Sequence, residues 1–268
     1  MNKELHWFVS AELPIIFSDI LPIFSDLSSV GSLLCSDTSS VAQNEAITSE
    51  TIPLSSSLKD DHVKGHIKMK GCFITKTELS IDINHTPVPV KTIVSIKEEE
   101  HNPWKLSQLG HAANFLKFVQ DRCVNISNGN VETEEQAHNE LKLLLEDIQK
   151  CKLQFVLGKQ ETSVLNRNYG VFSPDLPVGL LVNFHIRDIK LVLSLSCLKS
   201  PQDLHVKDRF SLPKSAYVDR TIMLNVHWMN VVFDKLTELQ NEVQEILQKL
   251  CILSVPACHK ETCLLVSR

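Results

Sequence analysis

The chain has few glycine and aromatic residues, and it lacks the sequence patterns of several enzyme classes. Its eight glycines form no G-x-G-x-x-G, no phosphate-binding loop and no nucleophile elbow. It contains no H-E-x-x-H and no paired C-x-x-C, the patterns of zinc proteases and zinc ribbons. We therefore predict a protein that is not an enzyme, with no catalytic residue, cofactor or metal. An enzyme of unrecognised type would need a concave pocket with convergent polar groups.

An excess of basic residues is also missing. The formal net charge is −5 with both signs interspersed, so we expect no nucleic-acid partner. No uninterrupted apolar run approaches the roughly 20 residues of a membrane span. Glu12 and Asp19 interrupt the apolar stretch near the N-terminus, which lacks a basic leader and a small-residue cleavage site. We therefore predict a cytoplasmic protein without a signal peptide or a membrane span.

Two clusters of polar residues could carry chemistry. Cys251, Cys258, His259 and Cys263 lie close in sequence, but adjacent Cys-His followed by a lone Cys matches no finger spacing. We interpret residues 254–268 as a flexible tail whose thiols are incidental. The run Glu98-Glu99-Glu100 could act as a general acid or base, although such runs are usually solvated turns.

The longest pattern is a heptad seam in a helix predicted over 228–253. Its apolar residues recur in steps of three and four. The seam consists of Met229, Val232, Leu236, Leu239, Val243, Ile246, Leu250 and Leu253. The flanking e positions are Phe233, Gln240 and Leu247, so the apolar face is wider than a two-stranded zipper needs. We expect this helix to pack within its own chain, in a protein that is monomeric within a hetero-complex.

Three further helices are predicted over 5–27, 104–126 and 133–156. Pro14 could lie in the first turn of the first helix, and Pro22 predicts a kink or a break. Asn102-Pro103-Trp104 resembles a capped helix start, and Thr133 with Gln136 resembles a capping box.

Alternating apolar residues predict strands in two other segments, 63–96 and 180–198, with a turn near Asp188. The prediction is therefore an α+β protein with an antiparallel four-helix bundle and a small antiparallel β-sheet domain, both discontinuous in sequence. The bundle comprises 1–27 with 103–156 and 225–253, and the sheet domain comprises 62–98 with 176–198. Residues 28–61, rich in Ser and Thr, are predicted to be a linker.

Five short strings give more specific information than the periodicity does. They resemble strings of the Rogdi family of leucine-zipper-domain proteins, and they occur in the same order as in that family. The strings are Glu4-Leu5-His6-Trp7, Asp61-His62-Val63-Lys64-Gly65, Trp104-Lys105-Leu106, Leu176-Pro177 with Leu180-Leu181-Val182-Asn183, and Trp228-Met229-Asn230. The fold implied by the resemblance, a helical bundle with a β domain, agrees with the periodicity.

The resemblance implies a non-catalytic subunit of a RAVE or rabconnectin-type complex, which promotes V-ATPase assembly and vesicle acidification through protein–protein interaction. Expected partners are WD-repeat rabconnectin-type proteins and, through them, the cytosolic sector of the V-ATPase. The expected location is the cytoplasm, peripherally on acidic or synaptic vesicles in neurons, and also the nuclear envelope. The alternative is a self-associating leucine-zipper scaffold or a nuclear regulator.

Overall fold

The fold is α+β, as predicted, with helices and antiparallel sheets in one chain. The structure, a computed structural model, describes residues 3–22, 49–58, 61–84, 89–96, 103–157, 171–177, 179–198 and 217–254. The chain divides into two compact units, each assembled from distant segments. The helical unit takes its residues from 1–32, 111–153 and 231–268, and the sheet unit from 33–110 and 154–230.

The first helix, α1, contains a wide turn. It comprises an α-helical turn over Lys3–Trp7, a π-helical turn over Phe8–Glu12 and a further α-helix over 13–22. The expectation that Pro14 lies in a first turn is wrong, because the proline is inside the helix. In a regular helix its ring would clash with the carbonyl four residues earlier, and the wider turn before it relieves this clash. Pro22 is the last described residue of this helix, so the residues that would show the kink or break predicted there lie outside the described residues.

Helices α2 (Ser107–Ser127) and α3 (Glu134–Val156) run antiparallel. The Cys151 thiol donates to the carbonyl of Ala112 at 3.4 Å, while Arg122 bonds Asp147 and Glu140, both at 2.9 Å. Late residues of α3 thus face early residues of α2. The predicted capping box is present, since Thr133 Oγ1 accepts from Gln136 N and Gln136 Oε1 accepts from Thr133 N, both at 3.2 Å.

The last helix, α4 (His227–Ser254), is held at its start by a side chain from far away in sequence. Glu50 Oε1 accepts the backbone N–H of His227 at 3.2 Å and so satisfies one of the unpaired donors of the first turn. None of the described helices is long and apolar enough to span a membrane. An antiparallel arrangement of all four helices stays a prediction.

The larger sheet has five strands, and four of them follow one another along the chain. They are β1 (Ser49–Leu58), β2 (Asp61–Lys70), β3 (Phe73–Ile83) and β4 (Val90–Ile96) in the order β1-β2-β3-β4, with β5 (Trp104–Lys105) beside β3. Gly65 has φ of 150°, and a Cβ there would overlap the Glu78 carbonyl. Only glycine lets β2 and β3 approach at this point.

The smaller sheet contains β6 (Leu180–Arg187), β7 (Lys190–Leu198) and β8 (Tyr217–Asn225) in that order. The β6–β7 turn, predicted near Asp188, has positive φ at Asp188 and Ile189. The N–H groups of these two residues donate to the Val156 and Phe155 carbonyls at 3.2 and 2.8 Å. The hairpin tip therefore supplies donors to carbonyls at the end of α3.

Side chains join the two sheets inside the sheet unit. Trp104 on β5 packs edge-on against Phe184 on β6, with ring centroids 5.4 Å apart. Arg220 on β8 donates to the buried carboxylate of Asp61 on β2 at 3.2 Å. Such contacts bury the apolar faces of strands that could not be stable as isolated hairpins.

Three expectations about the sheet unit are corrected. The linker predicted over 28–61 is wrong at its end, because 49–58 forms β1 and Asp61 opens β2. Trp104 does not start a helix; it pairs with Ile74 in β5, and α2 begins at Ser107. Strand β8 lies between the predicted elements, and the strands of the sheet unit form two sheets. The predicted tail after Ser254 lies outside the described residues, and the other predicted domain bounds stay predictions.

Candidate interaction surface

The heptad seam of α4 faces the protein interior. Seven of its residues are buried, from Met229 to Leu250, and Leu253 is half-buried. The e positions Phe233, Gln240 and Leu247 are half-buried as well. In the described chain the seam is therefore a core element and not a surface that a second zipper could reach.

One partner of this helix lies in the same chain. Lys152 on α3 donates from Nζ to Gln240 Oε1 at 2.9 Å, and its ammonium lies 4.9 Å from the centre of the Phe233 ring. Partial burial lowers the pKa of Lys152. Two of the three e positions thus contact a helix of their own chain, as expected of a bundle helix.

The polar clusters weighed in the sequence do not combine into a site within the described segments. Across these segments, no group of three or more His, Cys, Asp or Glu side chains is placed to hold a metal. Residues 98–100 and the tail positions Cys258, His259 and Cys263 lie outside them, and Cys251 is exposed on α4. Burial raises the pKa of the Cys123 and Cys151 thiols to about 12, which makes them packing groups and not nucleophiles.

A buried polar contact in the sheet unit was not anticipated. Gln108 Oε1 accepts the N–H of Ile186 at 2.7 Å, and Gln108 Nε2 donates to the carbonyls of Ile186 and Leu157, both at 2.9 Å. The amide group thereby hydrogen-bonds the edge of β6 as a neighbouring strand would, and it links this edge to the residue that follows α3. The sequence gave no signal for this, because a glutamine near a helix start is ordinarily exposed.

Two buried polar atoms have no hydrogen-bond partner among the described residues: Nδ1 of His185 and Oε2 of Glu242. Burial, assisted by the charge of Arg187, lowers the pKa of His185, which favours the neutral imidazole. Burial and the neighbouring Glu238 and Glu245 raise the pKa of Glu242. His185 lies within the sheet core, and Glu242 lies on the half-buried flank of α4.

The helical unit contains an open cavity of about 470 Å³ beside the start of α1, which we call the end cavity. Its apolar lining comes from Leu5, Val9 and Val131, all buried. Its exposed polar lining comes from His6, Ser10, Gly129, Glu132, Thr133 and Glu134. The cavity thus has an apolar floor and a polar rim with two carboxylates.

Regular structure holds the walls of the end cavity. One wall is the helical stretch of α1 that includes the π-turn Phe8–Glu12, and the other is the capped start of α3 with the preceding turn. Trp7, next to the lining residue His6, is 60% exposed. A preformed concavity, an exposed aromatic residue and a π-turn are each typical of contact or functional sites.

Sequence reasoning did not find the end cavity. No role was assigned from the sequence to the turn before Thr133. The cavity depends on how the N-terminal residues meet the α2–α3 turn, and no local pattern records that contact.

Residues 4–224 match the family described as "Rogdi leucine zipper containing protein". The chain belongs to the Rogdi family. It is also similar to "Protein rogdi" of Drosophila melanogaster, with 24% identity over 217 residues that cover 80% of this chain and 75% of the fly protein. The resemblance stated from five short strings is therefore confirmed.

The Rogdi match ends before α4 begins at His227. It includes the walls of the end cavity, from Leu5 to Glu134, and all eight strands except the last residue of β8. The heptad seam and the string Trp228-Met229-Asn230 lie beyond the matched residues.

Proposed function

We propose that this Rogdi-family protein is a non-catalytic subunit of a RAVE or rabconnectin-type complex that promotes V-ATPase assembly. The observation that carries the proposal is the family match over residues 4–224. In this proposal the protein acts in the cytoplasm at acidic or synaptic vesicles, with the nuclear envelope as a second location. Its direct partners are WD-repeat rabconnectin-type proteins, which bring it to the cytosolic sector of the V-ATPase.

The distribution of apolar residues is consistent with a role in assembly. The heptad seam of α4 and the facing strands of the two sheets are used in the protein's own cores. Partners would then bind the surface of a preformed fold, in the manner of a folded subunit docking into a larger complex.

Removal of the protein from cells tests the proposed function. We expect knockout cells to show a higher luminal pH in acidic vesicles, measured with a ratiometric probe, and more V-ATPase cytosolic sector in the soluble fraction. Re-expression should restore both, and WD-repeat proteins should co-purify with the tagged chain. Normal vesicle pH and normal sector distribution in the knockout would refute the proposal.

The second candidate is a self-associating zipper scaffold or a nuclear regulator. The contact of Lys152 with Gln240 and Phe233 argues against a zipper, because it uses the flank of the seam inside one chain. Light scattering separates the two candidates. A mass near the 30.2 kDa of one chain is expected, whereas twice that mass would favour the scaffold.

A further inference from the structure

We infer that the end cavity is a docking site for a segment of a partner protein that carries one large apolar side chain beside a Lys or Arg. The inference rests on the proposed function only in assuming that the protein acts through protein contacts. It adds a surface and the chemistry of the segment that binds there.

The floor of the end cavity calls for an apolar side chain. Leu5, Val9 and Val131 line a space of about 470 Å³, within the range of roughly 300–1,000 Å³ that suits bound groups. A segment that places an aliphatic or aromatic side chain there would remove apolar surface from water, at roughly 25 cal/mol per Å².

The rim of the end cavity calls for a cation. Glu132 and Glu134 are exposed at the mouth, and His6 is the one residue of basic type among the lining residues. A guanidinium or ammonium next to the inserted side chain would form charge-assisted hydrogen bonds with these carboxylates. The same acidic rim disfavours an anionic lipid surface or nucleic acid.

The acidic rim also disfavours a second copy of this chain. A symmetric pair would set the same patch against itself, so that the two acidic rims would face each other. Charge complementarity therefore favours a different protein with a basic-apolar segment.

Selection of short peptides tests this inference without knowledge of the natural partner. Random 12-residue peptides displayed on phage are selected on the full chain, and the enriched peptides are measured by fluorescence anisotropy. We expect the enriched sequences to share a large apolar residue next to Lys or Arg. We also expect binding to weaken as salt rises, since screening reduces the attraction of the carboxylates.

Variants then locate the binding site. Ser10→Trp places a bulky ring at the cavity mouth from an exposed position, and Glu132→Gln with Glu134→Gln removes the rim charge. Each should weaken peptide binding by about tenfold or more. The control, Asp121→Asn with Asp234→Asn, makes the same charge change at exposed helix positions away from the cavity lining and should leave affinity within about twofold.

The inference is wrong if no apolar-basic peptide is enriched, or if enriched peptides bind the Ser10→Trp and rim variants as tightly as the parent chain. The peptide-binding measurement does not involve the V-ATPase. Peptide binding that depends on the cavity, together with normal vesicle pH in knockout cells, would refute the proposed function and leave the docking site standing.

Discussion

The side chain of Gln108 satisfies three backbone groups that the fold would otherwise leave without partners at the edge of β6 and the end of α3. It is 7% exposed and reaches Ile186 and Leu157. Leucine has a similar size but cannot donate or accept. We expect Gln108→Leu to lower the free energy of unfolding by about 2–4 kcal/mol, because buried polar groups lose their partners.

Urea unfolding followed by circular dichroism measures this change. The matched control is Gln149→Leu on the exposed face of α3, which should stay within about 0.5 kcal/mol of the parent chain. Equal stability of the Gln108 and Gln149 variants would show that the amide contacts contribute nothing to the fold.

Glu242, unlike Gln108, is expected to lower the stability of the folded protein at neutral pH. Its buried Oε2 has no partner in the described chain, and burial with Glu238 and Glu245 raises its pKa above the ordinary value of 4.5. A raised pKa in the folded state favours folding below the unfolded pKa, and this benefit is lost as pH rises through the folded pKa. We therefore expect Glu242→Gln to stabilise the protein at pH 7, by about 1 kcal/mol.

The stabilisation by Glu242→Gln should shrink as pH falls towards 4. There the carboxyl of Glu242 in the folded parent chain is protonated and, like the glutamine amide, carries no charge. Thermal unfolding at pH 7, 5.5 and 4 measures it, with the exposed Asp121→Asn as the control. A stabilisation that is constant over this range would mean that the charge of Glu242 is not its cause.

At the scale of elements, α4 is a core helix of the helical unit. Leu239 lies in the middle of its seam with no exposed surface. Leu239→Asp would bury an unpaired carboxylate, so we expect it to cost at least about 3 kcal/mol and to unfold the helical unit. Thermal unfolding followed by circular dichroism tests this, with the exposed Gln248→Asp as the control. A Leu239→Asp variant that keeps its melting temperature and only loses self-association would show that the seam joins two chains.

The helices could be predicted because their patterns are local. The three-and-four spacing located α2, α3 and α4 to within about three residues, and the Thr133–Gln136 pair marked the start of α3. The predicted start of α2 was wrong because the local sequence around Trp104 is compatible with either a helix or a strand. Its burial against Phe184, a contact distant in sequence, selects the strand.

The missed strands depend on distant partners in the same way. In β1, Ile52 and Leu54 stand among Thr, Ser and Pro residues, a composition shared with linkers, and pairing with β2 along its whole length makes the segment a strand. Strand β8 follows a Pro-containing stretch and is specified by its register with β7. The end cavity has the same origin, since the sequence shows Leu5 and Val131 only as separate apolar residues.

At the scale of the whole molecule, the order of segments matters as much as their structure. The helical unit draws on 1–32, 111–153 and 231–268, and the sheet unit draws on the stretches between them. A cut at any single peptide bond between these segments would leave at least one unit without part of its sequence. The segments of the two units are therefore interleaved in the sequence.

Because the segments of the two units alternate along the sequence, the parts of the helical unit leave the ribosome at different times. The 70 residues between Val156 and His227 must be made after α3 and before α4, which takes roughly 4–14 s at typical elongation rates. During that interval the seam residues that complete the core of α2 and α3 do not yet exist. The apolar faces of α2 and α3 that α4 covers in the folded protein are therefore exposed to solvent for seconds during synthesis.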